Sequence, residues 1–210
     1  MVVTPNSNNV YLGDLENSFK QRDLVHFTKG NFIPCLRDHV WIVVRGLVNL
    51  SCLNEQGEDV LIALIGPSEP FGEPMTDLDL VEPKALTDCD LLCLSMQEVI
   101  EKPNLTLSMM KALIRRNQQS EAIISILGLR GVENRVQSFL ELIAKDYGHP
   151  CTQGIKLNLR LRHQDIANAL GTTRVTITKV LGCLKEKGWL SIDHNQYITI
   201  SHLPKKSDRS

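Results

Sequence analysis

The run from His163 to Leu184, HQDIANALGTTRVTITKVLGCL, leaves few ways for its surroundings to fold. Ile166, Ala167 and Leu170 recur at helical spacing, Gly171 interrupts them, and Ile177, Val180, Leu181 and Leu184 resume the same period. This predicts two amphipathic helices joined by a tight polar turn. Ala167 carries too little side chain to hold the second helix away from the first. Gly171 can take the left-handed conformation that ends a helix, and Thr172 or Thr173 can cap the next one. The product is a helix-turn-helix whose second helix presents Arg174, Val175, Thr178 and Lys179 outward. A plain helical hairpin shares the apolar spacing, so the outward face has to separate the two. Between Thr172 and Lys179 there is no acidic residue. A face chosen for solubility mixes both signs, whereas this one suits a polyanion.

Charge is distributed to match. The net charge of the 210 residues is −1, but residues 1–130 hold 11 Lys and Arg against 17 Asp and Glu, a balance of −6. Residues 131–210 hold 12 against 7, a balance of +5, and this basic part contains the helix-turn-helix. No apolar run approaches a membrane span, and MVVTPNSNNV lacks a secretory pattern, so the expected location is the cytoplasm. The cysteines at 35, 52, 89, 93, 151 and 183 form none of the close-set groups of a zinc or iron–sulfur site. Cys89 and Cys93 lie on one face of an expected strand. They read as buried small hydrophobes, with a metal or redox pair as the alternative.

Residues 1–18 are polar and expected to be loose. From Leu24, short apolar segments alternate with turn residues: Val40 to Val44, Leu47 to Leu53, Val60 to Ile65 and Leu91 to Leu94, punctuated at Gly46, Asn54 to Gly57, Gly66 to Ser68 and Pro83. The pattern predicts an antiparallel β-roll to about residue 95. A helical region then starts near Met96 and breaks at Pro103. From Leu105 to Leu129 a long helix places Met109, Leu113, Ile123, Ile124 and Leu127 on a stripe fit for a helix pair. Arg115 to Glu121 interrupts that stripe for two turns. Solvent accounts for only part of so polar a stretch, which makes Arg116 and Glu121 candidates for a sensing site. Residues 132–147 form an amphipathic helix with Val136, Phe139, Leu140, Ile143 and Ala144 inward. A loop over 148–154 leads to a strand carrying Ile155, Leu157, Leu159 and Leu161. After the helix-turn-helix, Trp189 to Ile192 and Tyr197 to Ile200 read as a hairpin wing, and 204–210 as a frayed polar tail.

These motifs together resemble the superfamily of the cyclic-AMP receptor protein and FNR, over nearly the whole chain. The resemblance rests on VWIVVRGLVNLSCLNEQGEDVLIALIGPSEPFGE at 40–73, on NRVQSFLELIAKDYG, and on the run from His163 to Ile192. GTTRVTITKVLG and GHPCTQGIKLNL are most similar to the nitrogen-control regulators of the NtcA type. The implied architecture is α+β, in three parts: a cyclic-nucleotide-binding-like β-roll over 1–104, a dimerisation helix and hinge over 105–130, and a winged helix-turn-helix over 131–210. The resemblance also implies a homodimer on a two-fold symmetric operator. By position, Arg174 would read guanine and Val175 would pack on a thymine methyl, giving a GTA-N8-TAC-like site. Lys179 stands where arginine is usual and loses the bidentate fork. Thr172, Thr173 and Thr178 would hold phosphates, and 148–154 matches a region that touches RNA polymerase in some members.

In the sensor, Phe71, Gly72 and Glu73 match the family's turn, but PMTDLDLVEPKALT follows, and Asp79 falls at the position of the usual phosphate-binding arginine. An aspartate there repels a phosphate, which argues against cyclic AMP. Nor is there a cysteine cluster of the FNR kind. The NtcA-type branch senses 2-oxoglutarate, and Phe71, Gly72, Arg116 and Glu121 match positions it uses. Arg116 is then a thin supply of cation for a dicarboxylate unless Lys84 turns inward. Two alternatives to a DNA-binding regulator are a ligand- or redox-sensing protein whose winged helix contacts protein instead of DNA, and an enzyme. No nucleophile–base pair or phosphate loop supports the second.

Overall fold

The computed structural model describes residues 23–57 and 59–201. The expectations for 1–18 and 204–210 lie outside the described residues. The chain divides into two units, Met1–Glu121 and Ala122–Ser210.

Two antiparallel sheets make the body of the first unit. One has the order β1 (Val25–Phe27), β7 (Cys89–Ser95), β2 (His39–Arg45), β5 (Pro70–Phe71); the other has β4 (Asp59–Ile65), β3 (Val48–Leu53), β6 (Val81–Ala85). Trp41 and Val43 from β2, Phe71 from β5 and Leu91 from β7 meet Val48 and Leu50 from β3, Ala63 and Ile65 from β4 and Ala85 from β6 in one core. Asn54 to Gly57 turns β3 into β4 as expected, with the Gly57 amide donating to the Asn54 carbonyl at 2.9 Å. The segment around Pro83 differs from the expectation of a turn. It is strand β6, whose Val81, Pro83 and Ala85 face the core while Glu82 and Lys84 face outward. Pro83 has no amide to give the ladder, yet its carbonyl accepts from Ile33 N at 2.9 Å. β1 and β5 were also missed, because two or three residues show no period.

The other face of β2 and β7 is buried as well. Val40, Ile42, Leu92 and Leu94 pack with Val99 of helix α1 (Met96–Glu101) and with Leu105 and Met109 of helix α2 (Pro103–Leu127). A strand buried on both faces loses its polar alternation, which is why β2 reads VWIVV. Pro103 is the first residue of α2, where a missing amide costs nothing, so it starts the long helix after the break that it makes. The stripe expected for a helix pair mixes two faces. Met109 is spent on the sandwich, while Leu107, Met110 and Ile114 form an exposed apolar row.

The second unit packs helix α3 (Val132–Tyr147), with Val136, Phe139, Leu140, Ile143 and Ala144 all buried as predicted, beside a sheet and two further helices. The sheet has the order β10 (Leu190–Ile192), β11 (Ile198–Ile200), β9 (Gly154–Leu157), β8 (Gly148–Cys151). The expected loop over 148–154 is thus half of a hairpin, β8 pairing with β9 from Gly148↔Leu157 to Cys151↔Gly154. β9 ends at Leu157; Leu159 and Leu161 keep the inward alternation without a ladder.

All six cysteines are free thiols. Cys89 is fully buried, its Sγ donating to the Leu47 carbonyl at 3.2 Å, and burial pushes its thiol pKa up. Cys93 packs on the edge of the same core. Both thus have the surroundings of small hydrophobes, and a protonated thiol is a poor nucleophile.

Asp90 joins three strands by charge. Its Oδ1 lies 2.8 Å from His26 Nδ1 on β1, and its Oδ2 accepts from Arg45 Nε on β2 at 2.6 Å. Both bonds favour the carboxylate and hold its pKa below the usual range, the Arg45 bond most. The stabilisation is therefore full above the unfolded value, about 4, and is lost as pH falls through the lower folded value. Asp90→Asn should flatten the acid limb of a plot of thermal midpoint against pH; an unchanged acid limb would mean that the triad contributes nothing there.

Candidate nucleic-acid interface and sensor residues

Helices α4 (His163–Ala169) and α5 (Arg174–Glu186) form the helix-turn-helix. Ile166, Ala167 and Leu170 are fully buried, as are Ile177 and Leu184, with Leu181 nearly so; Val180 is half-buried. Gly171 has φ +56, the left-handed geometry its position requires, and nothing lies near where a Cβ would point. Of the two threonines considered for the cap, Thr173 takes the role, its Oγ1 accepting from Thr176 N at 3.2 Å. Arg174, Val175, Thr178 and Lys179 are all exposed, Val175 at 64%, and Gly182 continues the same face.

Thr178 also has partners within the chain. Its hydroxyl donates to the Arg174 carbonyl at 2.9 Å and lies 2.8 Å from His163 Nδ1. With the hydroxyl hydrogen spent on Arg174, the imidazole is the donor, so Thr178 ties α5 to the start of α4. Thr173 likewise spends an acceptor on the cap. Thr172 sits in the turn, its amide donating to the Ala167 carbonyl at 3.0 Å.

Three supports of this face were not read from the sequence. Arg135 on α3 donates from Nη1 to the Leu170 carbonyl at 3.2 Å, closing the C-terminal end of α4. Asp193 shapes the wing, accepting from the amides of Asn195 and Tyr197 at 2.9 Å each and from Lys156 Nζ at 2.7 Å. The Lys156 bond is the chief cause of its lowered pKa. Lys156 and Arg160 both lie over the Tyr197 ring, at 5.1 and 5.4 Å from its centroid. An i,i+2 search for charge–turn pairs would have found Asp193 with Asn195; the other contacts join residues too far apart in the chain.

In the first unit, Phe71 is fully buried in the sandwich core and its backbone pairs with Trp41 of β2, so its side chain is structural. Gly72 has φ +156, and a Cβ there would fall 2.6 Å from the His39 carbonyl oxygen. Arg116 and Glu121 do not meet within one protomer. Five residues apart, they lie on opposite faces of α2. Arg116 is half-buried on the face of Leu105, Met109 and Gln119; its pKa is lowered by burial and drawn back up by Glu69. Glu121 is exposed, accepts from Asn117 Nδ2 at 2.7 Å, and helps line a 650 Å³ groove with Met110, Ile114 and Ile100. Lys84 does not turn inward: it lies 4.8 Å from the centroid of Phe32 on the outer face of β6. Glu69 and Arg115, which no motif singled out, form an ion pair at 3.3 Å between the turn before Phe71 and α2. Asp77 and Asp79 are exposed. Among the described residues no group of three or more His, Cys, Asp and Glu could hold a metal ion, and no helix is long and apolar enough to cross a membrane.

Residues 134–205 match the Crp-like helix-turn-helix domain and residues 24–102 match the cyclic nucleotide-binding domain. A global nitrogen regulator from Nostoc sp. is 36% identical over 180 residues, covering 80% of this chain and 78% of the relative. The regulatory protein CysR of Synechococcus elongatus is 33% identical over 159 residues, 74% of this chain and 73% of the relative. Among solved structures, a CRP/FNR-family transcriptional regulator from Thermus thermophilus superposes with a TM-score of 0.71 at 25% identity, covering 86% of this chain and 94% of that one.

Two substitutions test the geometry. Thr173→Ala should cost about 1 kcal/mol, the usual worth of an N-cap hydroxyl, read by chemical denaturation. Gly72→Ala forces a Cβ against backbone, not a flexible side chain, so it should lower the thermal midpoint more than Gly57→Ala, where no atom lies within 4 Å. Equal losses would show that the β2 backbone yields.

Proposed function

This chain belongs to the CRP/FNR family of DNA-binding transcription regulators, and from that membership we propose that it acts as a homodimer whose Arg174 and Val175 read the half-site GTA. The observation that carries the reading is the exposed face of α5, on which cations and an open aliphatic side chain stand together. Arg174 offers two donors to O6 and N7 of guanine, and Val175 packs on the methyl of the following thymine. Lys179 supplies charge without a planar fork. Thr172 and the amide end of α5 face the phosphate backbone, while Thr173 and Thr178 hold the helix in place. In a GTA-N8-TAC operator the half-site centres lie about one helical turn apart, as a two-fold dimer requires. The exposed row Leu107, Met110 and Ile114 on α2 is the seam proposed for that dimer, with Glu121 beside it.

The relatives named for global nitrogen control support a role in nitrogen regulation. The first unit has the fold of an effector-binding domain, and 2-oxoglutarate is the effector proposed, with Arg116 as its cation and the Phe71–Gly72 backbone as its neighbour. Asp79, at the place of the phosphate-binding arginine, sets cyclic AMP aside. The hairpin tip at Cys151, Thr152 and Gln153 is exposed and is the segment proposed to touch RNA polymerase.

Fluorescence anisotropy on a GTA-N8-TAC duplex and a scrambled duplex tests the DNA reading. Arg174→Ala should lose about 1–3 kcal/mol of discrimination at the guanine, roughly 5- to 150-fold. Lys179→Ala should weaken both duplexes alike and shallow the salt dependence. Equal affinity of the unaltered protein for both duplexes would overturn the assigned half-site.

A further inference from the structure

We propose that Glu69 is a built-in competitor for the effector: it holds, from within the chain, the cationic place that an effector carboxylate has to win. The inference rests on the reading of Arg116 as the sensor's cation.

Glu69 is 4% exposed, and both of its carboxyl oxygens have partners within the chain. Its Oε2 accepts from the Gly66 amide at 2.6 Å, and its Oε1 lies 3.3 Å from Arg115 Nε. A buried carboxylate keeps its charge only with such compensation. It also has no easy retreat. Val43 N donates to the Glu69 carbonyl at 3.1 Å and Ser68 N to the Val43 carbonyl at 2.7 Å, which staples the turn to β2. Ser68 holds φ +68, a strained value for a residue with a side chain, and its buried Oγ has no hydrogen-bond partner. The turn is thus built to set the carboxylate against α2, where the next residue, Arg116, is half-buried and feels the same charge.

Charge balance gives the consequence. Arg115, Arg116 and Glu69 sum to +1, and a dicarboxylate brings −2, leaving the occupied site at −1. With residue 69 neutral, the same site would start at +2 and end at 0. Lys84 lies on the outer face of its strand and Glu121 adds no cation, so neither corrects the deficit. In a partly buried site that difference decides whether a dicarboxylate binds well.

The test is isothermal titration of 2-oxoglutarate into the full chain, its Glu69→Gln variant and an exposed control, Glu55→Gln. The amide still accepts from Gly66 N, and Glu69→Ser removes the same charge should the first variant fail to fold. Glu69→Gln should bind at least tenfold more tightly than the unaltered protein, with Glu55→Gln unchanged. Equal, measurable binding by the unaltered and Glu69-substituted proteins would overturn the competitor and leave the effector reading standing. No binding by any of them would overturn both.

Discussion

Burial of both faces of the β2–β7 strand pair is the constraint on which the first unit depends. One face closes the sandwich through Trp41, Val43 and Leu91. The other seats Leu105 and Met109 of α2 through Val40, Ile42, Leu92 and Leu94. Because alternate residues of one strand serve the two clusters, a shift that loosens one disturbs the other. The N-terminal turns of the long helix thereby share a core with the sensor sheet, and the division of the chain falls inside that helix, after Glu121.

The same arrangement explains why the polar stretch of α2 is polar. Arg115 reaches the Glu69 turn, Gln119 is buried, and Asn117 and Glu121 bond each other on the far side. Each residue answers a different neighbour, so the stretch has no single face and no period. An apolar residue at 115 would remove one of the groups that compensate the buried Glu69, which costs more than an ordinary surface substitution. The helix therefore carries two separate polar duties between its apolar ends.

Where burial repeats with the period of an element, the structure was legible in advance. The inward residues of α3, the crossing of α4 and α5 and the four longer sandwich strands are of this kind, since each repeats its apolar contact over several turns or pleats. β5 is two residues long and β6 carries a proline, so neither repeats enough to be seen. The outward face of α5 was equally plain, because exposure is the complement of a strong buried stripe. The sensor was not. Phe71 belongs to the core, Lys84 points away, Arg116 and Glu121 stand on opposite faces, and the counter-ion Glu69 sits in a turn with no motif to mark it. Pairings between distant segments follow from topology, which no local spacing encodes.

The DNA-facing helix and the sensor differ in how their side chains are held, and this bears on what each can do. On α5, Thr173 caps, Thr178 ties the helix to His163, and Arg135 closes α4, so these fixing contacts use none of the side chains of Arg174, Val175 and Lys179. Those three side chains stand exposed on a helix that other residues hold in place. In the first unit the turn before Phe71 is held to β2 by backbone bonds of Val43, Ser68 and Glu69, and to α2 by the Arg115–Glu69 pair. On the reading proposed above, an anion at this place exchanges one charge pair for another, whereas DNA at α5 adds contacts to a frame that is already held.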